Sequence, residues 1–467
     1  MRPSSQVPIE THAAIYGVAL IIIFKLTKAL FPQILKMLSH GICQNLMIFL
    51  AGLCIRDKNQ SAHGIAKFFG LKSHDALTKV LVHKSWSASL LMLQLLNEAI
   101  RLSLCSPPTQ SWLILDDVIL PKRRSTATDG IYWDWDYVNH KNVLCLRLVV
   151  LVWTNGFIRI PVAFACYYKK NSDYLKHHNK KFRTKNQIAC CLIYQLLRKG
   201  LKFDYLLFDS WYASEDNFKF FNRLRISFVA GIKNNRNIYL PYFPLENHPK
   251  RRTKNLRWHK RTCTDWATEK PYVRDYAYYK SVEARARQTL VCLKETAAFM
   301  KLVCIKNYAT NKAFKKLVTS SEKKAKDKNK YLITNDPTLT ISQTITWYRR
   351  RWDIEVLFRD CKQHLAFGKC QAHKSLEPHL RHTAMVFLAY TLLELTKPNS
   401  QNGNPIQKTI GELKRNLQNQ QIVYVNDRYY LIDIAKTPID WQTFNLLNNH
   451  LNLNELQQRE IQLALTF

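Results

Sequence analysis

The residues best suited to chemistry lie in a stretch without glycine or proline, at positions 347–363. Drawn as a helix of about 100° per residue, the stretch projects four polar side chains within an arc of roughly 60°: Tyr348, Arg351, Glu355 and Lys362. An adjoining apolar stripe predicts a core-facing edge. One carboxylate is therefore expected among two cations and a phenol. The alternative is an ordinary amphipathic helix with a solvated ion-pair face.

Acidic residues also stand inside or directly after two apolar segments upstream. Asp116 and Asp117 lie within the apolar run 112–120, and Asp209 follows the run 203–208. Short apolar runs of this kind predict buried strands, and such a strand can deliver a carboxylate to its end. Neighbouring side chains on a strand point to opposite faces, so Asp116 and Asp117 are not expected to share one site.

These stretches resemble those of DDE transposases from bacterial insertion sequences. The residues Tyr348, Arg351, Glu355 and Lys362 have the spacing of the Y-R-E-K signature of insertion-sequence family four. The segments 113–122 and 206–214 are similar to the two upstream motifs of that family, and they occur in the same order. In the first motif Val118 stands where the family commonly has a threonine.

The resemblance implies a metal site made of three acids: Asp116, Asp209 and Glu355. Displacement at phosphorus can be driven by two Mg²⁺ ions about 3.5 to 4 Å apart, one at the attacking oxygen and one at the leaving oxygen. Mg²⁺ prefers carboxylate oxygens, and Mn²⁺ is a possible substitute. Asp117 stays a rival for the first position.

The same resemblance implies contacts with DNA for the remaining members of the signature. Arg351 and Lys362 are expected on the phosphates beside the scissile bond, Arg as a planar fork and Lys as a point charge. Tyr348 is expected against the DNA backbone. Trp347 and Trp352 are candidates for stacking on an unpaired base, although Trp347 falls on the apolar stripe and fits the core better.

The charge of the chain favours a polyanionic partner. Its 467 residues include 70 Lys and Arg against 34 Asp and Glu, which gives a formal net charge of +36. Double-stranded DNA is the simplest partner, and an anionic membrane surface is the competing explanation. The apolar run 13–24 is too short to span a bilayer, so we expect a buried helix, no membrane association and a cytoplasmic, nucleoid-associated protein.

The order of predicted elements indicates an α/β (α+β) chain with a ribonuclease-H-like catalytic core. Strands are predicted at 112–120, 143–153, 157–167, 203–208 and 226–232, with helices at 184–199 and 214–224. Three strands, a helix, a strand, a helix and a strand is the order of that fold. Its first two acids sit at the ends of the first and fourth strands, where Asp116 and Asp209 fall.

Five parts are predicted along the chain: an all-α DNA-binding domain (1–105), a first core part (106–232), a β-rich insertion (233–331), a second core part with the signature helix (332–398) and a C-terminal region of unassigned role (399–467). Within the first part, 61–81 has the pattern of a helix-turn-helix with a turn at Gly70 and a capping Ser73. Short helical hairpins of another purpose have the same pattern.

The sequence thus predicts a cut-and-paste transposase that nicks the ends of its own element and uses the freed 3′-OH to attack target DNA. The resemblance implies a homodimer on paired element ends. Two alternatives remain open. One is a metal-dependent nuclease without strand transfer, and the other is a non-catalytic DNA-binding derivative of a transposase.

Overall fold

The computed structural model describes residues 23, 27 and 36 and the range 38–433, except 70, 72, 84, 106–109, 123–124, 137–138, 243–256, 269–276, 294–295, 319–322, 324–325, 372, 397–408 and 426–427. The chain divides into two compact units. The helical unit comprises Met1–Glu98, Ala127–Asp129 and Arg359–Phe467, and the sheet unit comprises Ala99–Thr126 and Gly130–Phe358.

The helices of the described chain are α1 (His40–Ile55), α2 (Ala62–Phe68), α3 (Asp75–Val82), α4 (Ala88–Cys105), α5 (Asp173–His177), α6 (Lys185–Arg198), α7 (Glu215–Arg223), α8 (Cys263–Thr268), α9 (Ile341–Arg350), α10 (Trp352–His364), α11 (Glu377–Leu395) and α12 (Ile410–Asn419). Short 3₁₀ turns occur at Lys280–Val282, Tyr308–Thr310 and Lys312–Phe314. Of these helices, none combines the length and apolar character that a membrane span needs.

The strands are β1 (Trp112–Pro121), β2 (Tyr132–Asp136), β3 (Lys141–Thr154), β4 (Arg159–Tyr167), β5 (Tyr205–Phe208), β6 (Phe228–Ile232), β7 (Asn237–Tyr242), β8 (Arg257–Thr262), β9 (Ala277–Tyr279), β10 (Ala284–Leu293), β11 (Thr296–Ile305), β12 (Lys330–Thr334), β13 (Gln420–Val425) and β14 (Arg428–Asp433). The first twelve form one sheet in the sheet unit, and the last two form a hairpin.

The centre of the sheet is built around β1. This strand runs antiparallel to β3 and parallel to β5, and β5 runs parallel to β6. β4 joins the sheet by pairing with β3. The strands predicted at the positions of β1, β3, β4, β5 and β6 are confirmed, as are helices α6 and α7 between them. This mixed α/β arrangement is consistent with a ribonuclease-H-like core.

The register of β1 and β5 aligns two candidate acids. Leu115 of β1 pairs with Phe208 of β5 in a parallel ladder. Asp116 and Asp209 are the next residues on the two strands, so they lie side by side where the β1–β5 ladder ends. The predicted position of Asp116 at the end of its strand is wrong, because β1 continues to Pro121 and Asp116 still pairs with Val150 of β3. The two carboxylates are neighbours because the apolar runs that precede them pair in this register.

The segment between β6 and β12 is rich in strands and extends the same sheet. β12 pairs antiparallel with both β6 and β11. Beyond β11 the sheet continues through β10 to β7. The boundaries predicted for a β-rich insertion remain predictions. Lys330 is the first residue of β12. β12 pairs with β6, and β6 pairs with β5, the strand that Asp209 follows.

The helical unit joins the N-terminal helices to the C-terminal part of the chain. α1 packs against α3, α11 and α12. Lys414 of α12 is fully buried, and its ammonium donates hydrogen bonds to the backbone oxygens of Leu53 and His364 at 3.0 and 2.6 Å. An independent all-α domain that ends at residue 105 therefore stays a prediction.

The predicted helix-turn-helix falls on α2 and α3. Ser61 caps α2 by accepting a hydrogen bond from the Gly64 N–H at 3.1 Å. The Ser73 hydroxyl accepts one from the Asp75 N–H at 3.0 Å, at the start of α3. Gly70, the predicted turn residue, lies outside the described residues. Recognition of DNA by this hairpin remains a prediction.

Candidate active site

Asp117 is held by three groups on one side of β1. Its carboxylate accepts hydrogen bonds from Arg147 of β3 at 2.7 Å, Lys185 of α6 at 2.9 Å and the Tyr212 hydroxyl at 3.1 Å. Both cations are buried, with only 8% of each side chain exposed. Two desolvated positive charges are therefore neutralised by this carboxylate and by Asp134, which contacts Arg147 at 2.8 Å.

Asp116 faces a different group of residues. Its Oδ2 lies 3.1 Å from Nη1 of Arg351, and the same nitrogen lies 3.2 Å from Oε1 of Glu355. Burial raises the pKa of Asp116 well above its ordinary value, and the charges of Glu355, Asp117 and Asp209 raise it further against the opposing effect of Arg351. One cation is thus shared by two carboxylates, and Asp116 still experiences uncompensated negative charge.

Asp209 adds a third acid from the end of β5. The Tyr348 hydroxyl donates to its Oδ1 at 3.4 Å, and the ammonium of Lys330 lies 4.0 Å from the same oxygen. Burial by itself would raise the pKa of Asp209, but Lys330, Arg351 and the hydrogen bonds to the carboxylate lower it below its ordinary value. The pKa values of Asp209 and Asp116 are therefore shifted in opposite directions.

Gly231 of β6 makes the contact between Tyr348 and Asp209 possible. A Cβ at this position would lie 2.7 Å from the Tyr348 hydroxyl oxygen and 3.3 Å from Oδ1 of Asp209. The first distance is shorter than a carbon–oxygen contact allows. Any side chain at residue 231 would therefore displace the Tyr348 hydroxyl from the acid.

Arg351 is the common cation of this cluster. Burial by itself would lower its pKa, but the acidic groups around it raise the pKa well above the ordinary value: Tyr348, Asp209, Asp116 and Glu355. The described sheet unit thus brings together five of the predicted site residues. We call Asp116, Asp209, Tyr348, Arg351 and Glu355 the Arg351 cluster.

The single helix predicted over 347–363 is wrong. α9 ends at Arg350 and α10 starts at Trp352, with Arg351 in a turn between them. The Arg351 N–H donates a hydrogen bond to the backbone oxygen of Tyr348 at 3.1 Å, so it reaches the third preceding residue rather than the fourth. This tighter turn breaks the helical ladder at the residue whose side chain binds two acids.

The chain matches the family described as DDE superfamily endonuclease over residues 40–289. This match covers more than half of the 467 residues. The chain belongs to this endonuclease family. Enzymes of the family generally use divalent metal ions. The matched range includes Asp116 and Asp209 and ends before Arg351 and Glu355.

A curated relative is described as a probable transposase for insertion sequence element IS701, from Microchaete diplosiphon. It is 27% identical over 242 residues, which is 50% of this chain. The chain spans 59% of the length of that relative.

The carboxylate oxygens of the Arg351 cluster suit a hard divalent cation, but the spacing of its three acids does not. Such ions prefer carboxylate ligands, and all three acids lie near enough to Arg351 to raise its pKa. Among the described residues, however, no group of three or more His, Cys, Asp or Glu is close enough to hold a metal ion. The Arg351 guanidinium lies between Asp116 and Glu355, where it competes with any ion for the same oxygens.

Lys362 lies on α10, seven residues after Glu355, with an exposed side chain. Seven residues are about two helical turns, so it follows Glu355 along one helix. Trp347 is buried and lies against Tyr205 and Trp112, at ring-centroid distances of 4.3 and 6.4 Å. The core role predicted for Trp347 is confirmed.

Four residues at the site escaped the sequence reasoning: Gly231, Lys330, Arg147 and Lys185. Lys330 ends the lysine-rich stretch 312–330, and such stretches are usually solvated linkers, yet Lys330 begins β12 and only 16% of its side chain is exposed. The available signal was the apolar run directly after it, which predicts a strand starting beside the core. Arg147 offered a weaker signal as a lone cation within a long apolar run, and Gly231 and Lys185 offered none.

Proposed function

We propose that this chain is a DNA transposase of the Y-R-E-K type, as in insertion-sequence family four. In this proposal it hydrolyses one strand at each end of its element, and cleavage of the second strand then frees the element. Each freed 3′-OH attacks a phosphodiester of the target DNA and releases a 3′-OH of the target strand, which completes a cut-and-paste reaction. The observation that carries the proposal is the sharing of Arg351 between Asp116 and Glu355, beside Asp209. Membership of an endonuclease family and the name of the relative support it.

In the proposed mechanism Asp116, Asp209 and Glu355 are the residues that would hold the divalent ions, Mg²⁺ or in its place Mn²⁺. When bound, two such ions supply an activated attacking oxygen and neutralise the leaving oxygen. The raised pKa of Asp116 supports this role, because a carboxylate that is buried and lies near other acids gains from another cation. Asp117 is assigned a structural role, since Arg147, Lys185 and Tyr212 already satisfy it.

Arg351 is proposed to change partners during the reaction. It neutralises Asp116 and Glu355 in the free protein, and its guanidinium would turn to a phosphate beside the scissile bond when DNA is bound. Arginine suits that second role because its planar fork matches a phosphate. Lys362 is assigned to another phosphate, and its exposure supports access to DNA. Tyr348 orients Asp209 and packs on the DNA backbone.

Double-stranded DNA is the proposed partner, both as element ends and as target, with a homodimer assembled on two paired ends. The net charge of +36 supports a polyanion. We assign reading of the ends to α2 and α3, where Lys79 is exposed on the second helix. Domain boundaries at 105, 232, 331 and 398 and a location on the nucleoid are part of the same proposal.

A nuclease without strand transfer is the second candidate, because the family description names an endonuclease and no joining activity. The two candidates agree on the cluster and differ in the products. A transposase covalently joins the labelled 3′ end to a second duplex, whereas a nuclease leaves it free.

The deciding experiment uses the full chain and a duplex carrying the inverted repeats that flank its gene. The parent should cleave that duplex with Mg²⁺ and join the 3′ end to a supercoiled plasmid. Glu355→Gln should bind the duplex normally and lose both reactions. Asp353→Asn, which removes an acid from the same turn of α10, is the matched control and should retain them. Normal cleavage by Glu355→Gln would remove the basis of the proposal, and cleavage without joining would favour the nuclease.

A further inference from the structure

Two further arginines, Arg349 and Arg350, precede Arg351 at the end of α9. Successive side chains of a helix project about 100° apart, and three adjacent cations repel one another. The three guanidinium groups therefore reach three separate parts of the sheet unit. Arg351 meets the acids, whereas Arg349 and Arg350, both half-buried, make contacts to which the proposed mechanism gives no role.

Arg350 ties the end of α9 to the end of the ladder between β1 and β3. Its Nη1 donates a hydrogen bond to the backbone oxygen of Gly156 at 3.0 Å, in the turn between β3 and β4. A Cβ on Gly156 would lie 3.3 Å from Nη2 of Arg350, so the guanidinium fits closely against this turn. Its Cζ lies 5.7 Å from the centre of the ring of Trp112, the buried first residue of β1. That distance allows a cation–π contact.

Arg349 holds the same helix end from a second direction. Its Nη2 lies 3.4 Å from the backbone oxygens of both Val282 and Ala313. Its Cζ lies 4.5 Å from the centre of the ring of Phe314, which is buried. Val282 and Phe314 belong to two different 3₁₀ turns. Arg349 therefore connects the end of α9 to segments distant in sequence from the turn that Arg350 contacts.

These contacts fix the main chain at Arg351. Its N–H is bonded to the backbone oxygen of Tyr348, and its guanidinium contacts Asp116, four residues after Trp112 on β1. Four residues of a strand span about 13 Å, so Arg350 and Arg351 contact β1 at two separated points. An arginine side chain has many rotamers, and a fixed main chain reduces the number that reach the acids.

We propose that Arg349 and Arg350 are positioning residues that hold the turn between α9 and α10 and so direct the Arg351 guanidinium onto Asp116 and Glu355. With the main chain held, only the side chain of Arg351 has to move between the acids and a phosphate. Loss of either anchor leaves the ion pairs of Arg351 formed for less of the time. The consequence for cleavage rests on the proposed function, whereas the positioning itself does not require DNA.

The test measures the coupling free energy between Arg351 and Asp116 in the absence of DNA and metal ions. Urea unfolding of the parent, Arg351→Met, Asp116→Asn and the double variant gives this coupling. The cycle is repeated with Arg350→Met, and separately with Arg349→Met, in all four proteins. Each change should lower the coupling by about half or more, because the ion pair then forms only part of the time. Arg350→Lys should keep most of it, because an ammonium still faces the Trp112 ring.

Arg198→Met is the matched control. Arg198 also ends a helix and lies over an aromatic ring, that of Tyr194 at 6.0 Å, but it is exposed and belongs to α6. It should leave the coupling at the parent value. If Arg350 is merely structural, Arg350→Met lowers the stability of all four proteins equally and leaves the coupling unchanged. That result, or a parent without coupling, would overturn the proposal. If one anchor variant fails to fold, the other decides.

A cleavage assay separates this proposal from the proposed function. Arg350→Met should bind the duplex as the parent does and slow single-turnover cleavage by up to about a hundredfold, the cost of a 1 Å misplacement. In an Arg351→Ala background it should slow cleavage no further, because Arg350 acts through Arg351. An equal loss of rate in both backgrounds would contradict the positioning role. A parent that never cuts DNA removes the proposed function, while the urea cycle still decides the positioning.

Discussion

Two adjacent carboxylates on β1 have opposite surroundings. Asp117 receives two buried cations and a phenol, whereas Asp116 shares one cation with Glu355. The first arrangement is close to neutral, whereas in the second burial, together with the charges of the neighbouring acids, raises the pKa of Asp116 above its ordinary value. Strand alternation alone separates the two side chains, so a single residue step distinguishes a structural acid from one suited to bind another cation.

The largest expected effect is on cleavage by Asp116→Asn. Loss of an ion-binding carboxylate removes several kcal/mol of transition-state stabilisation, which lowers the single-turnover rate by about a thousandfold. The same variant should melt at an equal or higher temperature than the parent, because it removes a repelled buried charge. Unchanged cleavage would move the first acid elsewhere on the strand.

The pH dependence of this stability gain has a defined sign. The pKa of Asp116 is raised in the folded state, so its ionised form costs stability once the pH exceeds the ordinary value of an aspartate. Protonation relieves that cost as the pH falls. The advantage of Asp116→Asn over the parent should therefore be greatest near pH 7 and shrink toward acid pH in denaturant titrations.

Asp117→Asn should act on stability first. Without the carboxylate the buried Lys185 loses its ion pair with Asp117 and Arg147 keeps its ion pair with Asp134, at a cost of about 3 kcal/mol in the free energy of unfolding. Asp173→Asn is the control, because Asp173 and Lys176 form a largely exposed pair at 3.7 Å whose loss should cost well under about 1 kcal/mol. Equal stability of the two variants in urea would show that the Asp117 pairs are not stabilising.

Arg351→Ala should have opposite effects on metal binding and on cleavage. Removal of the guanidinium frees Asp116 and Glu355, so Mn²⁺ should bind more tightly in the absence of DNA. Cleavage of a pre-nicked end should nevertheless fall by about ten- to a hundredfold, the value of a charge-assisted hydrogen bond to phosphate. Arg351→Lys should recover little of that rate. Weaker Mn²⁺ binding in Arg351→Ala would contradict the competition between the guanidinium and the ion.

Gly231→Ala should give the smallest effect. The added Cβ must displace the Tyr348 hydroxyl by a few tenths of an ångström, which should slow cleavage roughly tenfold, less than the hundredfold that a 1 Å misplacement can cost. Gly41→Ala is the control, because a Cβ there meets nothing within 4 Å. If both variants cleave at the parent rate, the close approach of Gly231 to Tyr348 has no catalytic importance.

Local patterns in the sequence predicted most of the central sheet. Apolar runs set β1 and β5, and their register places Asp116 beside Asp209. The edge strand β2 was missed, because its alternating Trp and Asp residues do not form an apolar run. Strand alternation left Asp116 and Asp117 as rivals, since no local pattern shows which face Arg147 and Lys185 approach.

The break at Arg351 could not be read from helical periodicity. Nothing in 347–363 disfavours a helix, and the interruption coincides with contacts from Arg351 to acids on β1 and α10. Lys330 was missed for a related reason. Its ion pair with Asp209 depends on β12 pairing with β6, a contact between segments about 100 positions apart in the sequence.

The most direct measurement of the central claim is Mn²⁺ binding to the DNA-free full chain, followed by electron paramagnetic resonance. The parent, Asp116→Asn, Glu355→Gln and Asp117→Asn are compared at equal folded concentration. We expect Asp116→Asn and Glu355→Gln to lower the affinity at least about tenfold, while Asp117→Asn retains that of the parent. Retained binding in Asp116→Asn with loss in Asp117→Asn would contradict the assignment of the two carboxylates.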